Sequence, residues 1–293
     1  MAIKHKMKSN QNLKRITRRF PGLILFLIAL VIRFLFFIFP QFYEQIYFNG
    51  VFPIIRKLQS LLSFVWIIPG YFVLLVALIA WLIWRFPKKH ILLFLRRLLN
   101  LASTIGALFL ILWGFNYVDK GFAHRMQLPI TDEKVEISQF YIAAMDSAMH
   151  YRNKIDEDFD TITNVQNIPT DKIIASWVAN ELKNYGYPTN SSIRVRHIRP
   201  SGSLLRLSIA GIYNPFTGEA NIDNALPSLP QIFTTAHEIA HAYGITGEAE
   251  ANFVAFLACI NSENPLAQYA GFYALWRQIA AEINKTYTPE ELE

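Results

Sequence analysis

Long apolar runs dominate the first part of the chain and limit strongly what it can fold into. Three such runs stand out, at residues 21–39, 61–84 and 98–117. Each is close to the roughly 20 residues that an α-helix needs to cross about 30 Å of hydrocarbon. We therefore predict three transmembrane helices within residues 1–119, which would form a membrane anchor.

Each run has a feature that bears on its boundaries. Arg33 interrupts the first, where it either reaches toward the headgroups or binds a partner inside a helical bundle. Pro69-Gly70 is expected to kink the second. Arg96 and Arg97 precede the third, and residues 91–95 before them are apolar enough to lie at the membrane interface instead. The first run is followed by no small-residue cleavage site, so a retained helix is predicted rather than a signal peptide.

The distribution of charge predicts the orientation of the anchor. Residues 1–119 carry 15 Lys/Arg and two acids, a net charge of +13, whereas residues 120–293 carry a net charge of −7. The basic residues flank the apolar runs, with seven before the first run and two, Arg56 and Lys57, in the first connection. The positive-inside rule then predicts a cytoplasmic N-terminus and an extracytoplasmic domain on the bacterial cytoplasmic membrane. These charges indicate a lipid partner and not a nucleic acid.

Residues 120–293 have the composition of one globular domain, long enough to bury a core. Capping signals and apolar periodicity favour a mainly helical α+β domain with a small sheet. Ser201-Gly202 is predicted to be a turn between two of the strands. The predicted helices cover residues 137–151, 171–185, 228–243, 248–260 and 264–284, and the predicted strands cover 193–198, 204–213 and 219–223.

One motif in this domain indicates metal chemistry: His237-Glu238-Ile239-Ala240-His241. The four-residue spacing puts both imidazoles on one face of a helix, with Cβ atoms about 5–6 Å apart, so that both can bind one ion. In zinc peptidases the Glu of such a motif, here Glu238, is the general base for a water that the metal activates. The motif therefore predicts a catalytic Zn²⁺ site. The alternative is a helix that carries two unrelated histidines.

A catalytic zinc requires a third protein ligand and one open position. Two acids, Glu248 and Glu250, follow the motif at the start of the next predicted helix. At about 100° per residue, Glu248 shares a face with Asn252 and Cys259, whereas Glu250 points away from that face. We therefore predict Glu248 as the third ligand and keep Glu250 as the alternative. Asn252, one turn further, is predicted to hydrogen-bond a ligand histidine.

At these residues the chain resembles the gluzincin metallopeptidases, which pair HExxH with a downstream Glu, often as E-x-x-A-N; here that segment is Glu248 to Asn252. The resemblance implies a zincin-like domain, a Zn²⁺ cofactor and Glu248 as a ligand. Over nearly its full length the chain is also similar to an uncharacterised bacterial family of membrane-anchored proteins, a domain of unknown function. It departs from familiar gluzincins in the short segment of six residues between His241 and Glu248. Gly247 stands where metzincins have a third histidine, so that ligand set does not apply.

The gluzincin resemblance further implies that residues 219–223 form the edge strand of the cleft, with Glu219 and Asn221 beside an extended peptide. A strand edge without a ligand is the alternative. Two other chemistry-bearing residues, His197 and Cys259, are interpreted as structural. The candidates for stabilising an oxyanion are Tyr213, Tyr269, Tyr273 and Arg277.

Two functions from different classes fit this sequence. The first is a membrane-anchored zinc metallopeptidase that hydrolyses a peptide or protein substrate. The second is a non-catalytic metal-binding sensor or scaffold of the cell envelope, which would require four protein ligands around the metal. A catalytic site inside the membrane is disfavoured, because the apolar run around His237 is too short to span a bilayer.

Overall fold

A computed structural model describes five segments of the chain. The chain divides into two compact units. The first unit comprises residues 1–55, 66–119 and 215–217. The second comprises residues 56–65, 120–214 and 218–293. The described segments are residues 19–65, 68–86, 90–128, 137–155 and 168–286.

The described part of the first unit is helical. Two of its helices, Pro21–Ile38 and Ile91–Leu112, are long and apolar enough to cross a membrane. There are up to three such spans if the bent pair Pro40–Val65 with Gly70–Arg85 counts as one. This confirms that the chain is membrane-associated through its N-terminal half. The elements are α1 (Pro21–Ile38), α2 (Pro40–Phe42), a π-helix (Tyr43–Val51), the start of α3 (Phe52–Val65), α4 (Gly70–Arg85), α5 (Ile91–Leu112) and a 3₁₀-helix (Gly114–Val118).

Helices α1 and α5 pack closely where small and polar residues meet. The Gly22 N–H donates to Asn100 Oδ1 at 3.1 Å, and a Cβ on Gly22 would lie 2.2 Å from the Asn100 carbonyl oxygen. Such close approach at small residues is typical of helix pairs in membranes, where dispersion and interhelical hydrogen bonds provide the attraction.

The helices differ from the predicted apolar runs at two boundaries. The run at residues 61–84 is divided, since α3 ends at Val65 and α4 begins at Gly70. Pro69 lies at this break with an extended ψ of 131°, and it has no N–H with which to continue a helix. Helix α5 begins at Ile91 rather than at residue 98, which places Arg96 and Arg97 within it.

The second unit is mainly helical with a three-stranded sheet. Helix α9 (Ser228–Ala242) carries the HExxH motif. It packs on the strands Gly211–Asn214 and Glu219–Asp223 and against the helices Asp171–Lys183, Glu248–Ile260 and Pro265–Thr286. Its buried face includes Ala236, Ile239 and Ala240, none of which is exposed. The elements, after the end of α3, are α6 (Phe122–Arg125), α7 (Ile137–Arg152), α8 (Asp171–Lys183), β1 (Val195–Ile198), a 3₁₀-helix (Leu205–Leu207), β2 (Gly211–Asn214), β3 (Glu219–Asp223), α9 (Ser228–Ala242), α10 (Glu248–Ile260) and α11 (Pro265–Thr286).

The sheet has the order β1-β3-β2, which corrects two predictions. Strand β3 was expected at an edge, yet it lies in the centre, parallel to β1 and antiparallel to β2. All five β3 residues are buried, so both faces of this central strand are covered. Strands β1 and β2 do not form the expected hairpin, because residues 205–207 form a 3₁₀-helix and strand pairing begins only at Gly211.

Asp223 at the end of β3 holds the connection between β1 and β2. Its carboxylate accepts backbone N–H hydrogen bonds from Gly202 and Leu204, each at 2.7 Å, and from Leu205 and Ala225 at 3.1 and 2.8 Å. Burial alone would raise the pKa of Asp223, and the four donors outweigh it and hold the pKa below its ordinary value. This clamp fixes the chain that leads into β2.

Candidate metal centre

The C-terminal turn of α9 is closed by a Schellman motif. Gly244 adopts φ +105°, a conformation that L-residues rarely adopt. Its N–H donates to the His241 carbonyl at 3.0 Å, and the Ile245 N–H donates to the Ala240 carbonyl at 3.2 Å. The chain therefore turns back sharply, and the Ile245 carbonyl faces the end of the helix.

In both histidines of the motif, Nδ1 lies within hydrogen-bond distance of an acceptor oxygen. His241 Nδ1 lies 2.7 Å from the Ile245 carbonyl oxygen, and His237 Nδ1 lies 2.8 Å from Asn252 Oδ1. In a neutral imidazole, an Nδ1 that donates leaves a lone pair on Nε2. The contacts thus select the same tautomer in both rings, with Nε2 available to a metal.

The two Nε2 atoms face each other at 3.0 Å. With Nδ1 as the donor in each neutral ring, both Nε2 atoms are acceptors, so this contact is not a hydrogen bond between them. Two lone pairs at that distance repel each other unless a cation lies between them. The pair of histidines is therefore arranged for a shared proton or a metal ion.

Glu248, the first residue of α10, completes the group. Its Oε2 lies 3.2 Å from His237 Nε2, and its Oε1 lies 3.5 Å from His241 Nε2. Tetrahedral zinc with ligand bonds of about 2.0–2.1 Å requires ligand atoms about 3.3–3.4 Å apart. The shortest distances between the side chains, 3.0, 3.2 and 3.5 Å, lie close to that value, with a different Glu248 oxygen facing each histidine. Within the described residues these three side chains are a group that can hold a metal ion.

Glu238 lies beside this group under strand β2. Its residue is 5% exposed, and a Cβ on Gly211 would come within 2.8 Å of the Glu238 side chain. Burial, and then the negative charge of Glu248, raise the pKa of Glu238 to about 8, while a hydrogen bond from the Tyr213 backbone N–H opposes the shift. For His237, burial and then the neighbouring His241 lower the pKa, which favours the neutral ring that a metal requires.

The other residues predicted for the site, Glu250, Glu219 and Asn221, bind partners elsewhere in the second unit. Glu250 Oε1 accepts from the Ala123 N–H at 3.3 Å, at the start of α6. Glu219 is buried and forms an ion pair with Arg196 at 2.8 Å. Asn221 donates to backbone carbonyls of the sheet. As residues of the central strand, Glu219 and Asn221 are not at the cleft edge, which is a correction of the expectation from the resemblance.

The oxyanion candidates separate into two places. The Tyr213 hydroxyl accepts a hydrogen bond from the buried guanidinium of Arg56 at 3.2 Å. Tyr273 and Arg277 of α11 line a cavity, and the Tyr269 ring lies 5.9 Å from the Tyr273 ring.

The residues interpreted as structural have ordinary partners. His197 Nε2 lies 3.0 Å from Asp171 Oδ2, which joins β1 to the start of α8. Cys259 is fully buried in α10.

An apolar cavity of about 470 Å³ lies one helical turn before the ligands. Thr234, which lines the cavity, is four residues before Glu238 and so shares its face of α9. The Thr234 methyl group is also near Gly211, where a Cβ would approach it to 2.9 Å. The other walls include Leu205, Leu229, Phe233 and Ala274.

Two contributors to the site, and one buried residue elsewhere in the second unit, were not predicted from the sequence. The Ile245 carbonyl is a backbone group, and only the Gly244 after the helix hinted at the turn that presents it. Gly211 approaches Glu238 because of strand pairing, which local sequence does not encode. Arg56 was interpreted only as a topology signal, although it is fully buried and also donates to the Gly218 carbonyl at 3.2 Å.

A family model matches residues 43–293, most of the chain. The chain belongs to DUF3810, a protein family of unknown function. This confirms the expected similarity to an uncharacterised family, and the match covers α3 as well as the whole second unit. No curated protein and no solved structure matches the chain. The DUF3810 match therefore supplies a family without a substrate, and the chemistry has to be argued from the site.

Proposed function

We propose that this DUF3810 protein is a membrane-anchored zinc metallopeptidase with a zincin-like domain on the extracytoplasmic side of the membrane. The observation that carries the proposal is the convergence of His237, His241 and Glu248 at 3.0–3.5 Å with both histidines fixed as Nε2 ligands. Three protein ligands leave the fourth position of a tetrahedral site open, as in catalytic rather than structural zinc sites. This favours an enzyme over a metal-binding sensor or scaffold.

The donor set fits zinc in its chemistry. Two imidazole nitrogens and one carboxylate are the ligands of several catalytic zinc sites. When bound, zinc supplies Lewis-acid chemistry, since it acidifies water and polarises a carbonyl oxygen. Asn252 and the Ile245 carbonyl hold the two rings in place for it.

In this proposal Glu238 moves the proton. The positive charge of a bound Zn²⁺ would lower the raised pKa of Glu238 and so favour the carboxylate that accepts the proton. The Glu238 carboxylate takes a proton from the water that attacks the peptide carbonyl, and it delivers that proton to the leaving amine when the C–N bond breaks. The backbone at Gly211 and Tyr213 confines the side chain over the ligands. Among the described residues no cationic side chain forms a salt bridge with this buried carboxylate, which suits it to this exchange.

The apolar cavity supports a substrate class. A peptide whose scissile carbonyl lies at Glu238 would have a neighbouring side chain within one helical turn, at Thr234 and the cavity. The lining is dominated by Leu, Ala, Pro and Phe side chains, so an apolar residue beside the scissile bond fits it best.

The test uses the purified full-length protein and a peptide library read by mass spectrometry. We expect zinc-dependent cleavage next to apolar residues, and Glu238→Gln should retain zinc but lose about 10²- to 10⁴-fold in rate, the range that general acid–base catalysis contributes. A Glu238→Gln protein that keeps zinc and cleaves at the wild-type rate would contradict the proposal. A zinc-loaded wild-type protein that cleaves no peptide would favour the sensor or scaffold.

A matched pair of variants tests the third ligand. Glu248→Gln should lower the zinc content, because an amide is a poor ligand for zinc. Glu250→Gln keeps an oxygen that can accept from the Ala123 N–H, and it should bind zinc as the wild type does. Loss of zinc in the Glu250 variant alone would assign the third ligand to Glu250.

A further inference from the structure

Three polar residues of helix α3 are buried, whereas a row of its aliphatic residues is exposed. Phe52, Arg56, Gln59 and Ser63 form its buried stripe. Arg56 contributes hydrogen bonds to the Tyr213 hydroxyl and the Gly218 carbonyl, both at 3.2 Å. The polar side of α3 is thus bonded to the sheet of the second unit.

The C-terminal end of α3 is also held by the sheet. Arg196 of β1 donates to the Ser63 carbonyl at 3.0 Å, and Arg194 donates to the Phe64 carbonyl at 3.4 Å. The last carbonyls of a helix lack intrahelical donors and carry its partial negative charge, so two guanidinium groups are well suited to them. These contacts make residues 56–65 a fixed part of the second unit.

The opposite side of α3 presents a continuous aliphatic stripe, which we call the α3 outer face: Leu58, Leu61, Leu62 and Val65. The spacing i, i+3, i+4, i+7 places all four on one side of the helix. Their residues are 56%, 60%, 58% and 76% exposed. Scattered apolar residues on a surface are ordinary, whereas a contiguous stripe marks an interaction site.

We propose that the α3 outer face lies in the interfacial layer of the bilayer, with α3 parallel to the membrane surface as an amphipathic anchor of the second unit. In such helices the apolar side enters about 5–10 Å into the boundary between headgroups and acyl chains. The polar side normally faces water, and here it faces the sheet. The inference does not depend on the proposed peptidase activity.

The occupant of the α3 outer face is lipid rather than a second copy of the chain, because the stripe leads directly into further apolar sequence and the apolar helix α4. After Val65 the sequence reads Trp66-Ile67-Ile68, and α4 begins at Gly70 with a long apolar helix. Trp is enriched at membrane interfaces, where its ring sits at the level of the headgroups. Lys57 is exposed on α3, where its long side chain can reach the headgroups.

The experiment measures the depth of a fluorophore on the α3 outer face. Full-length Leu58→Cys and Leu61→Cys proteins are labelled with NBD and reconstituted in phosphatidylethanolamine–phosphatidylglycerol vesicles. Lys183→Cys, at the exposed end of α8, is the matched control. The native Cys259 is fully buried, and burial raises its thiol pKa to about 12, so the wild-type protein should take up no label.

We expect NBD at positions 58 and 61 to be quenched strongly by lipids with a nitroxide on the upper acyl chain and weakly by aqueous iodide. The control should show the reverse. Iodide quenching at positions 58 and 61 equal to that at 183 would overturn the proposal. Shielding from both quenchers that disappears on dilution into excess lipid would also overturn it, since it would identify an interface between copies. Leu62→Cys provides an independent site if one variant fails to retain the wild-type unfolding midpoint.

Discussion

The two histidines of the proposed zinc site are oriented by acceptors of different kinds. His241 depends on the Ile245 backbone carbonyl, whereas His237 depends on the side chain of Asn252. A side-chain acceptor can be removed without altering the course of the backbone. Asn252 is therefore the residue at which the orientation of a ligand can be tested separately from the fold.

We expect Asn252→Ala to weaken zinc binding by about 10- to 100-fold, the range seen when residues that hydrogen-bond a metal ligand are removed. His237 would lose the contact that fixes its tautomer and ring orientation. Competition with a chelator, on full-length protein in detergent, measures the change. Asn252→Asp keeps an Oδ acceptor and should remain close to the wild type, while equal affinities for the Ala variant and the wild type would rule out this role.

At the residue scale, the sequence predicted which residues share one face of a single helix. Helical periodicity was enough to group His237 with His241 and to prefer Glu248 over Glu250. It also selected Asn252, and the structure brings these residues together. The pairing of Arg196 with Glu219 was not predictable, because it joins strands whose neighbours are decided by tertiary contacts.

At the scale of elements, the ligands depend on the tight connection between α9 and α10. Helix α9 ends at Ala242 and α10 starts at Glu248, so the turn has little freedom. Gly244 supplies the positive φ that this turn requires. The short segment that set the chain apart from familiar gluzincins is thus the part that brings Glu248 to the histidines.

We expect Gly244→Ala to destabilise the protein by about 1–3 kcal/mol, the cost of holding a residue in a disfavoured backbone region. It should also weaken zinc binding, because the Ile245 carbonyl would shift away from His241. Gly247→Ala is the matched control: its φ is −83°, and a new Cβ would only approach the end of the Glu250 side chain at 3.3 Å. Thermal unfolding measures the stability of both variants, and chelator competition measures their zinc affinity. Equal stability and equal zinc affinity of the two variants would contradict this role of Gly244.

The helices of the second unit were predicted better than its strands, for a physical reason. Helix ends are marked locally, as by Pro265 at the start of α11 and Gly244 after α9, and the predicted bounds agree with the structure to within a few residues. The position of a strand within a sheet is set by partners distant in the sequence. A short segment such as Glu219–Asp223 gives no local sign of whether it has one neighbour or two.

At the scale of the whole molecule, one compact unit contains sequence from both sides of the central apolar helices. Residues 56–65 and 120–214 belong to this unit, and Arg196 of β1 and Arg194 just before it donate hydrogen bonds to the end of α3. If this unit lies on one side of the bilayer, the chain between residues 66 and 119 crosses the membrane an even number of times. We therefore predict that α4 crosses if α5 does.

The topology is tested in spheroplasts with a membrane-impermeant maleimide on variants that each carry one introduced cysteine beside the buried Cys259. Lys57→Cys and Lys183→Cys should both be labelled from outside, whereas Asn10→Cys and Lys88→Cys should be labelled only after permeabilisation. The pair at positions 57 and 183 is decisive, because the even number of crossings requires them on the same side whatever the absolute orientation. Labelling of these two positions from opposite sides would mean that residues 56–65 do not pack with the rest of the second unit in the membrane. The prediction of an even number of crossings between residues 66 and 119 would then be wrong. Labelling of both only after permeabilisation would keep the even number of crossings but place the metal centre in the cytoplasm.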